Sequence, residues 1–332
     1  MRKILGISAL LLVVCVVTAL ASDRFLSGYN LENLIRRTAL FGIISIGVAF
    51  VIVTGGIDLS VGSVVCLVGC GVPWLLTTHG WSVPAALAAA MMASLGIGLF
   101  HGLLITRLRL PPFVVTLCGL LLYRGVARGF TRDQTVGFGS GYKALRVLST
   151  GEIPIPFVSG FSLPAPWIFL LVVAGLAALF LNRTVYGRHL LALGSNEQAA
   201  RYSGINTDRM VIVAYVICSA LSGLGGMLYV LDSNTAQPED FGNFYELYAI
   251  AAAVLGGCSL RGGEGTIVGI LVGAALIMVL RNMIMLTTNY TNIEFAIIGA
   301  VLLIGVIADE LVKRYAMRRR AARALLAETK PS

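Results

Sequence analysis

Charged residues are scarce in this sequence. Only 12% of its 332 residues are Asp, Glu, Lys or Arg, whereas a soluble domain carries roughly a quarter. Hydrophobic residues make up 57% of the chain, and long runs of them recur from one end to the other. A helix needs about 20 such residues to cross a bilayer. The shortage of charge therefore excludes a sizeable soluble domain and predicts an all-α, polytopic integral membrane protein.

Lysine is rarer still, and none of the lysines follows a glycine: they are Lys3, Lys143, Lys313 and Lys330. The phosphate-binding loop of ATPases needs a Gly-Lys pair. The sequence therefore predicts that the chain binds no ATP of its own and needs no other cofactor.

Catalytic and metal-binding patterns are missing as well. The three histidines, His79, His101 and His189, fall in different loops or spans, and neither HExxH nor GxSxG occurs. Cys66 and Cys70 share a helix face, but no His or further Cys lies near them in sequence to complete a metal site. We therefore expect no enzyme, no catalytic residue and no metal.

The net charge of +9 does not indicate nucleic-acid binding, because the basic residues lie in short loops and at the chain ends. That distribution sets orientation in a membrane. The sequence predicts one transmembrane domain over residues 1–312 and a basic cytoplasmic tail over residues 313–332. The tail would lie against the anionic headgroups of membrane lipid.

Hydrophobic runs predict about ten transmembrane helices, at residues 4–21, 39–54, 61–78, 83–105, 111–127, 166–182, 210–231, 241–257, 266–286 and 293–312. With both termini inside, Lys and Arg number 16 in the inner segments and seven in the outer ones, which favours this orientation. The first run also has the form of a cleavable signal peptide. An uncleaved span is favoured because it completes an even number of spans.

A polar, glycine-rich stretch, TGGIDLSVGS at residues 54–63, interrupts two apolar runs. Gly55 and Gly56 are typical of a helix end, and Asp58 and Ser60 are good N-caps for the next helix. Gly62 completes the stretch. The sequence predicts a tight break between two helices.

The break is predicted near the cytoplasmic face, because the 18 residues from Arg37 to Gly55 make about 27 Å of helix. An Asp at membrane depth indicates a functional residue by default; a simple capping role is the alternative. Both readings stay open at this point.

The sequence GGCSLRGG at residues 256–263 repeats GGIDLSVG at residues 55–62 with four identities in eight positions. The match suggests an internal repeat, which is common in transporters, with Gly256 and Gly257 at the second break. Counting back by the same distance starts the eighth span near Phe241. Glu246 would then lie about a turn and a half inside it, on the translocation path with Asp58.

A second motif, GSNEQAARYSGI at residues 194–205, is predicted to form a short cytoplasmic helix of about eight residues. Ser195 and Gln198 fit a capping box, and Gly204 fits a C-cap. Such a helix is too short to be stable alone. The small residues Ala199 and Ala200 favour close docking into a groove.

Together with TRLRLPPFVVTLCGLLLYRG at residues 106–125, these motifs resemble the transmembrane permease of monosaccharide ABC importers of the ribose, xylose and galactose type. The resemblance covers nearly the whole chain. It implies a multi-pass permease of the bacterial inner membrane that pairs with a second copy or a sister permease. A cytoplasmic ATP-binding cassette ATPase would bind ATP and drive it, and a periplasmic sugar-binding protein would deliver the solute.

The resemblance assigns ATPase coupling to the segment 194–205, hence to Gly194, Ser195, Asn196, Gln198, Ala199, Ala200 and Gly204. The loop over residues 128–165 matches the family least, so no binding-protein contact is placed there. The sequence does not choose between pentoses, hexoses, nucleosides or other small polar solutes.

Two other functions are weighed. An ion-coupled secondary transporter would use Asp58, Glu246 and Glu264 as coupling carboxylates. An intramembrane enzyme would need paired catalytic groups, which the sequence does not offer. ATP-driven import of a monosaccharide or similar small polar solute is the favoured function.

Overall fold

A computed structural model describes residues 2–154, 161–287, 296–300, 303 and 307. The chain forms two compact units, Met1–Thr287 and Thr288–Ser332. In the second unit, the described residues are helical. The predicted tail and most of the tenth predicted span lie outside the described residues.

The first unit is built almost entirely of helices, as predicted. They are α1 (Arg2–Ala21), α2 (Gly28–Val53), α3 (Val61–Pro73), α4 (Val83–Arg107), α5 (Pro112–Thr131), α6 (Lys143–Thr150), α7 (Pro166–Arg183), α8 (Val185–Ser195), α9 (Glu197–Tyr202), α10 (Thr207–Ser233), α11 (Tyr245–Leu255) and α12 (Ile267–Thr287). A π-helical turn, Trp74–Thr78, continues α3.

Two small antiparallel sheets join the connecting loops. β1 (Val136–Gly137) pairs with β4 (Thr235–Ala236), and β2 (Glu152–Pro154) pairs with β3 (Ser162–Pro164). The first of these sheets ties the loop after α5 to the segment after α10.

Eight helices in the described part are long and apolar enough to cross a membrane: α1, α2, α3 with its π-helical turn, α4, α5, α7, α10 and α12. They correspond to eight of the ten predicted spans. The predicted span at 241–257 is wrong. The structure has only the 11-residue helix α11 there, about 16 Å long, which is half the hydrocarbon thickness.

The centre of the first unit is formed by α10, which packs against α2, α3 and α4. From Thr38 to Val53 every residue of α2 is buried. By contrast, α4, α5 and α7 are buried on one side only and expose Leu, Val, Phe and Met on the other, as expected of helices that face lipid. α1 packs against α12.

Two faces of the first unit can be distinguished. The α9 face carries α9, the end of α8, the end of α2 and the turn after α11; the last three contact one another. The opposite face carries α6 and the β1–β4 sheet, since Arg146 of α6 donates to the carbonyl of Leu231 near the end of α10 at 3.0 Å. Which face is inside stays a prediction from the distribution of Lys and Arg.

Candidate functional site at the helix breaks

The end of α2 has the geometry that its two glycines predict. The Gly55 N–H donates to the Ile52 carbonyl at 2.9 Å, and the Gly56 N–H donates to the Val51 carbonyl at 3.1 Å. Gly55 takes φ +81°. These two bonds define a Schellman motif, which needs a left-handed residue where Gly55 stands. The predicted helix stop is confirmed.

Asp58 does not cap α3 as predicted, but forms a turn with Ser60. Its Oδ1 accepts from the Ser60 N–H at 2.9 Å and from the Ser60 hydroxyl at 2.6 Å. Ser60 is the N-cap residue of α3, yet its side chain makes no capping bond, because the hydroxyl is committed to Asp58. Asp58 is 1% exposed, and its Oδ2 accepts no hydrogen bond within the described part of the chain.

Two neighbouring helices hold the backbone of the break in place. The carbonyl of Ile57 accepts from the Tyr215 hydroxyl of α10 at 3.1 Å and from the Thr116 hydroxyl of α5 at 3.3 Å. A side chain at Gly56 would come within 2.9 Å of the Tyr215 hydroxyl oxygen. The break is therefore fixed by tertiary contacts and by the missing side chain at Gly56.

Glu246 takes over the capping role that was predicted for Asp58 and Ser60. Its carboxylate lies beside the backbone of Gly62, the second residue of α3. An anion at the start of a helix is stabilised by the helix dipole. Gly62 has no room for a side chain, since a Cβ would overlap the Glu246 carboxylate and the Gly242 carbonyl.

The predicted depth of Glu246 within its helix is wrong. Glu246 is the second residue of α11, not a turn and a half inside. The helix starts late because the preceding backbone turns through left-handed conformations at Gly242 (φ +72°) and Phe244 (φ +62°). Glu246 is nevertheless buried, and its carboxylate lies close enough to Asp58 and Arg124 to interact with both charges.

Arg124 of α5 contacts the backbone that precedes α11. Its guanidinium donates to the carbonyls of Pro238 (3.1 Å), Glu239 (2.9 Å) and Phe241 (3.3 Å). Three carbonyls on one arginine make a charge-assisted network. An arginine two thirds of the way along an apolar helix was the sequence signal for this contact.

The second break repeats the first with a shift of one residue. After α11, the Gly257 N–H donates to the Val254 carbonyl and the Cys258 N–H donates to the Ala253 carbonyl, both at 2.9 Å. Gly257 takes φ +95°, so it corresponds to Gly55. The repeated device is confirmed, but the predicted register, Gly55 with Gly256, is wrong.

Gly256 has a packing role instead. A Cβ on Gly256 would overlap the carbonyl of Gly269 in α12. Close packing of α11 against α12 therefore requires this glycine.

The segment 194–205 differs from its prediction at the helix start. Ser195 is the last residue of α8, so the capping box of Ser195 and Gln198 is wrong. Asn196 is the N-cap, with Oδ1 accepting from the Ala199 N–H at 3.0 Å. The helix α9 has six residues rather than eight. Gly204, at φ +83°, follows the C-cap Ser203 and ends the helix as predicted.

The two alanines of α9 face different ways. Ala199 is exposed, whereas Ala200 is 4% exposed and lies inside this chain, since α9 packs on α8 and α10. Gln198 and Glu197 are exposed as well. The prediction that both alanines meet a partner is therefore wrong for Ala200.

The end of α8 packs directly against both helix breaks. From the sequence, the segment 194–205 and the breaks were expected to be separate sites. A Cβ on Gly194 would overlap the Val53 carbonyl and the Gly263 nitrogen. The Gly263 N–H also donates to the Val53 carbonyl at 2.8 Å. This glycine junction joins the segment 194–205 to the end of α2 and to the turn after α11.

A cavity of about 640 Å³ opens beside the first break on the α9 face. Its lining includes Thr54, Gly55, Gly56, Thr106, Arg109, Gln198, Arg201, Tyr202 and Tyr215. Tyr215, which lines the cavity, donates its hydroxyl to the Ile57 carbonyl of the first break. Within the described residues, no three His, Cys, Asp or Glu side chains are grouped to hold a metal ion.

Comparison with known proteins places these features in a family context. The model of a family described as branched-chain amino acid transport system, permease component, matches residues 30–306. The ribose import permease protein of Escherichia coli strain K12 is 36% identical over 304 residues, which cover 91% of each chain. The ribose import permease protein of Bacillus subtilis strain 168 is 34% identical over 300 residues, or 90% of each.

A xylose transport system permease protein from Escherichia coli strain K12 is 29% identical over 370 residues, covering 93% of this chain and 91% of its own. No solved structure matches.

Proposed function

The chain belongs to the permease family of the branched-chain amino acid transport system type, and we propose on that premise that it is the membrane-spanning subunit of an ATP-driven monosaccharide importer. It is a multi-pass protein of the inner membrane. The observation that carries the proposal is the 36% identity to a ribose import permease along 91% of both chains.

The cavity has room for a small polar solute, and its lining combines uncharged polar groups with the charged Arg109, Glu197, Arg201 and Asp208. Its volume of about 640 Å³ lies within the range of small-molecule sites, about 300–1,000 Å³. Thr54, Thr106, Gln198 and the two tyrosines that line it offer uncharged hydrogen-bonding groups and aromatic faces. A sugar uses both.

The helix breaks supply the polar part of the path. Asp58 and Glu246 are buried carboxylates beside the start of α3, and the break leaves non-helical backbone near them. In many transporters solutes bind where helices are interrupted. We assign Asp58, Glu246 and the glycines of the two breaks to the lining or support of the translocation path.

The energy source is assigned to a partner. Without a Gly-Lys phosphate loop, ATP would bind to a separate cytoplasmic ATPase, which contacts the exposed side of α9. A second copy of this chain or a sister permease completes the membrane part. A periplasmic binding protein delivers the sugar on the opposite face.

The test compares three solutes in vesicles that contain the permease with its ATPase and binding protein. Labelled ribose, xylose and leucine are supplied separately, and the family description makes leucine the informative competitor. We expect uptake of a monosaccharide, and leucine uptake without sugar uptake would contradict the proposal. Uptake that needs no ATPase but collapses with the ion gradient would indicate an ion-coupled transporter instead.

A further inference from the structure

The connection from α10 to α11, residues 234–244, runs into the protein as non-helical backbone. At its start Thr235 and Ala236 pair with β1 on the opposite face. At its end Gly242 lies against Gly62, beside Glu246. This covering segment therefore lies between the opposite face and the buried carboxylates.

Glycines of α3 provide the surface on which the covering segment lies. A Cβ on Gly69 would overlap the ring of Phe241, and a Cβ on Gly62 would overlap the carbonyl of Gly242. Between them, the Cys66 thiol lies 3.3 Å from the Pro238 carbonyl. Because positions 62 and 69 are glycines, no α3 side chain projects into the covering segment at these two positions.

Arg124 supplies the directional contacts that hold the segment. Its three hydrogen bonds all end on carbonyls of the covering segment, at Pro238, Glu239 and Phe241. Hydrogen bonds from a charged donor are about twice as strong as neutral ones. Loss of one side chain would therefore release three backbone groups together.

The backbone turns at both ends of the segment. Asn234 takes φ +67° at the start, and Gly242 and Phe244 take φ +72° and φ +62° at the end. Left-handed residues other than glycine are uncommon and strained. The residues between these turns are thus bounded by two positions where the backbone direction changes.

The two sides of the buried carboxylates differ in access. Toward the α9 face, the cavity beside Gly55, Gly56 and Tyr215 reaches the break. Toward the opposite face, the covering segment lies across α3, and Cys66 beneath it is 0% exposed. The α9 face thus has a cavity that reaches Gly55 and Gly56 of the break, whereas the covering segment lies across α3 on the opposite side.

We propose that residues 234–244 form a movable cover over the Asp58–Glu246 site and that Arg124 is the positioning residue that holds the cover closed. This inference rests on the proposed function, because a cover of this kind admits solute from the opposite face. Opening breaks the three Arg124 hydrogen bonds and exposes Cys66.

The test measures how fast Cys66 reacts with a charged, membrane-impermeant methanethiosulfonate reagent. The full chain, with its other five cysteines replaced by alanine, is reconstituted in vesicles, and reagent is added from each side in turn. Arg124→Gln should accelerate labelling from the opposite face by about tenfold or more, since each lost bond to a charged group shifts opening by at least that factor. Arg124→Lys should restore slow labelling in part, because lysine donates to carbonyls without the fork geometry.

Arg128→Gln is the matched control. Arg128 lies one turn further along α5 and pairs with Asp133, with Nη2 2.6 Å from Oδ2, outside the covering segment. Its hydrogen bonds go to Asp133 and its charge alone acts on Glu239 of the covering segment, so Arg128→Gln should change the Cys66 rate far less than Arg124→Gln.

Phe241→Ala is a second test that retains Arg124. Removal of the ring that packs against Gly69 should also accelerate labelling of Cys66 from the opposite face. Slow labelling in both Arg124→Gln and Phe241→Ala, in protein that elutes as the parent does, would overturn the cover. If Cys66 labelling responds as expected while ATP drives no sugar uptake, the cover stands and the proposed function falls.

Discussion

At the scale of single residues, the site depends on a carboxylate that reaches across from another helix. The Glu246 carboxylate lies beside the backbone of Gly62 at the start of α3, while Ser60, the N-cap residue, donates its hydroxyl to Asp58. This exchange leaves Asp58 with one bonded oxygen and one without a partner among the described residues. An incompletely paired carboxyl group in a buried position is costly, and such residues at membrane depth indicate a functional site.

Asp58→Leu is expected to reduce uptake by about tenfold or more, because a bond to a charged group contributes roughly 1.5–3 kcal/mol. The protein should still reach the membrane. Asp58→Asn separates the hydrogen-bonding role of the residue from the role of its charge, since it keeps an acceptor for the Ser60 N–H and removes the charge. The measurement is solute uptake by those variants that insert into the membrane and can be solubilised from it. Full uptake by Asp58→Leu would show that Asp58 has no role in the translocation path.

Gly62→Ala should lower the free energy of unfolding by about 1–3 kcal/mol, the typical cost of overpacking, because the new Cβ meets Glu246 and the Gly242 carbonyl. Gly71→Ala is the control on the same helix. A Cβ at Gly71 meets nothing within 4 Å, and alanine favours a helix by up to about 1 kcal/mol. Thermal unfolding in detergent should separate the two variants, and equal melting temperatures would contradict the tight contact at Gly62.

At the scale of elements, the sequence predicts the long helices well and the short ones poorly. Apolar runs of about 20 residues identify α4 or α12 because that length of helix spans the hydrocarbon core and satisfies its own backbone hydrogen bonds there. The same reasoning overextends α11, since residues 241–244 are apolar enough for a span but bend at Gly242 and Phe244. Composition does not reveal those backbone angles.

The sequence identified the residues of the candidate site but not how they are arranged in space. Asp58 and Glu246 were visible as carboxylates in apolar surroundings, and the glycines of both breaks were visible as helix ends. The contact of Glu246 with Gly62 and the contact of Gly194 with Val53 join residues far apart in sequence. Such tertiary contacts leave no local pattern, so the sequence did not place the segment 194–205 against the breaks.

Ala199 and Ala200 of α9 form a matched pair for the ATPase contact. Ala199→Arg should leave the amount of folded protein unchanged, because the residue is exposed, and should abolish both co-purification of the ATPase and uptake. Ala200→Arg should instead reduce folded protein, because a charge placed in a 4% exposed position costs several kcal/mol if unpaired. Membrane levels and pull-down of the ATPase give the comparison.

One result would contradict the assignment of α9 to the ATPase contact. Normal transport by Ala199→Arg, with free cytoplasmic labelling of a cysteine at position 199 in the assembled complex, would make α9 an ordinary surface helix.

At the scale of the whole molecule, the glycine junction links the part that would meet the ATPase to both helix breaks. The α8 end contacts the Val53 carbonyl and Gly263, and Gly55 lies beside Gly262. A displacement of α8 and α9 would therefore act directly on the end of α2 and on the turn after α11.

The most direct test of the account is the energy source of transport. Proteoliposomes that hold the permease with its ATPase and binding protein are loaded with ATP or with a non-hydrolysable analogue, and labelled sugar is supplied on the opposite face. The account predicts that the permease alone turns over no ATP, and that sugar accumulates only with the complete complex and hydrolysable ATP. ATP turnover by this polypeptide alone, or equal accumulation without ATP hydrolysis, would contradict it.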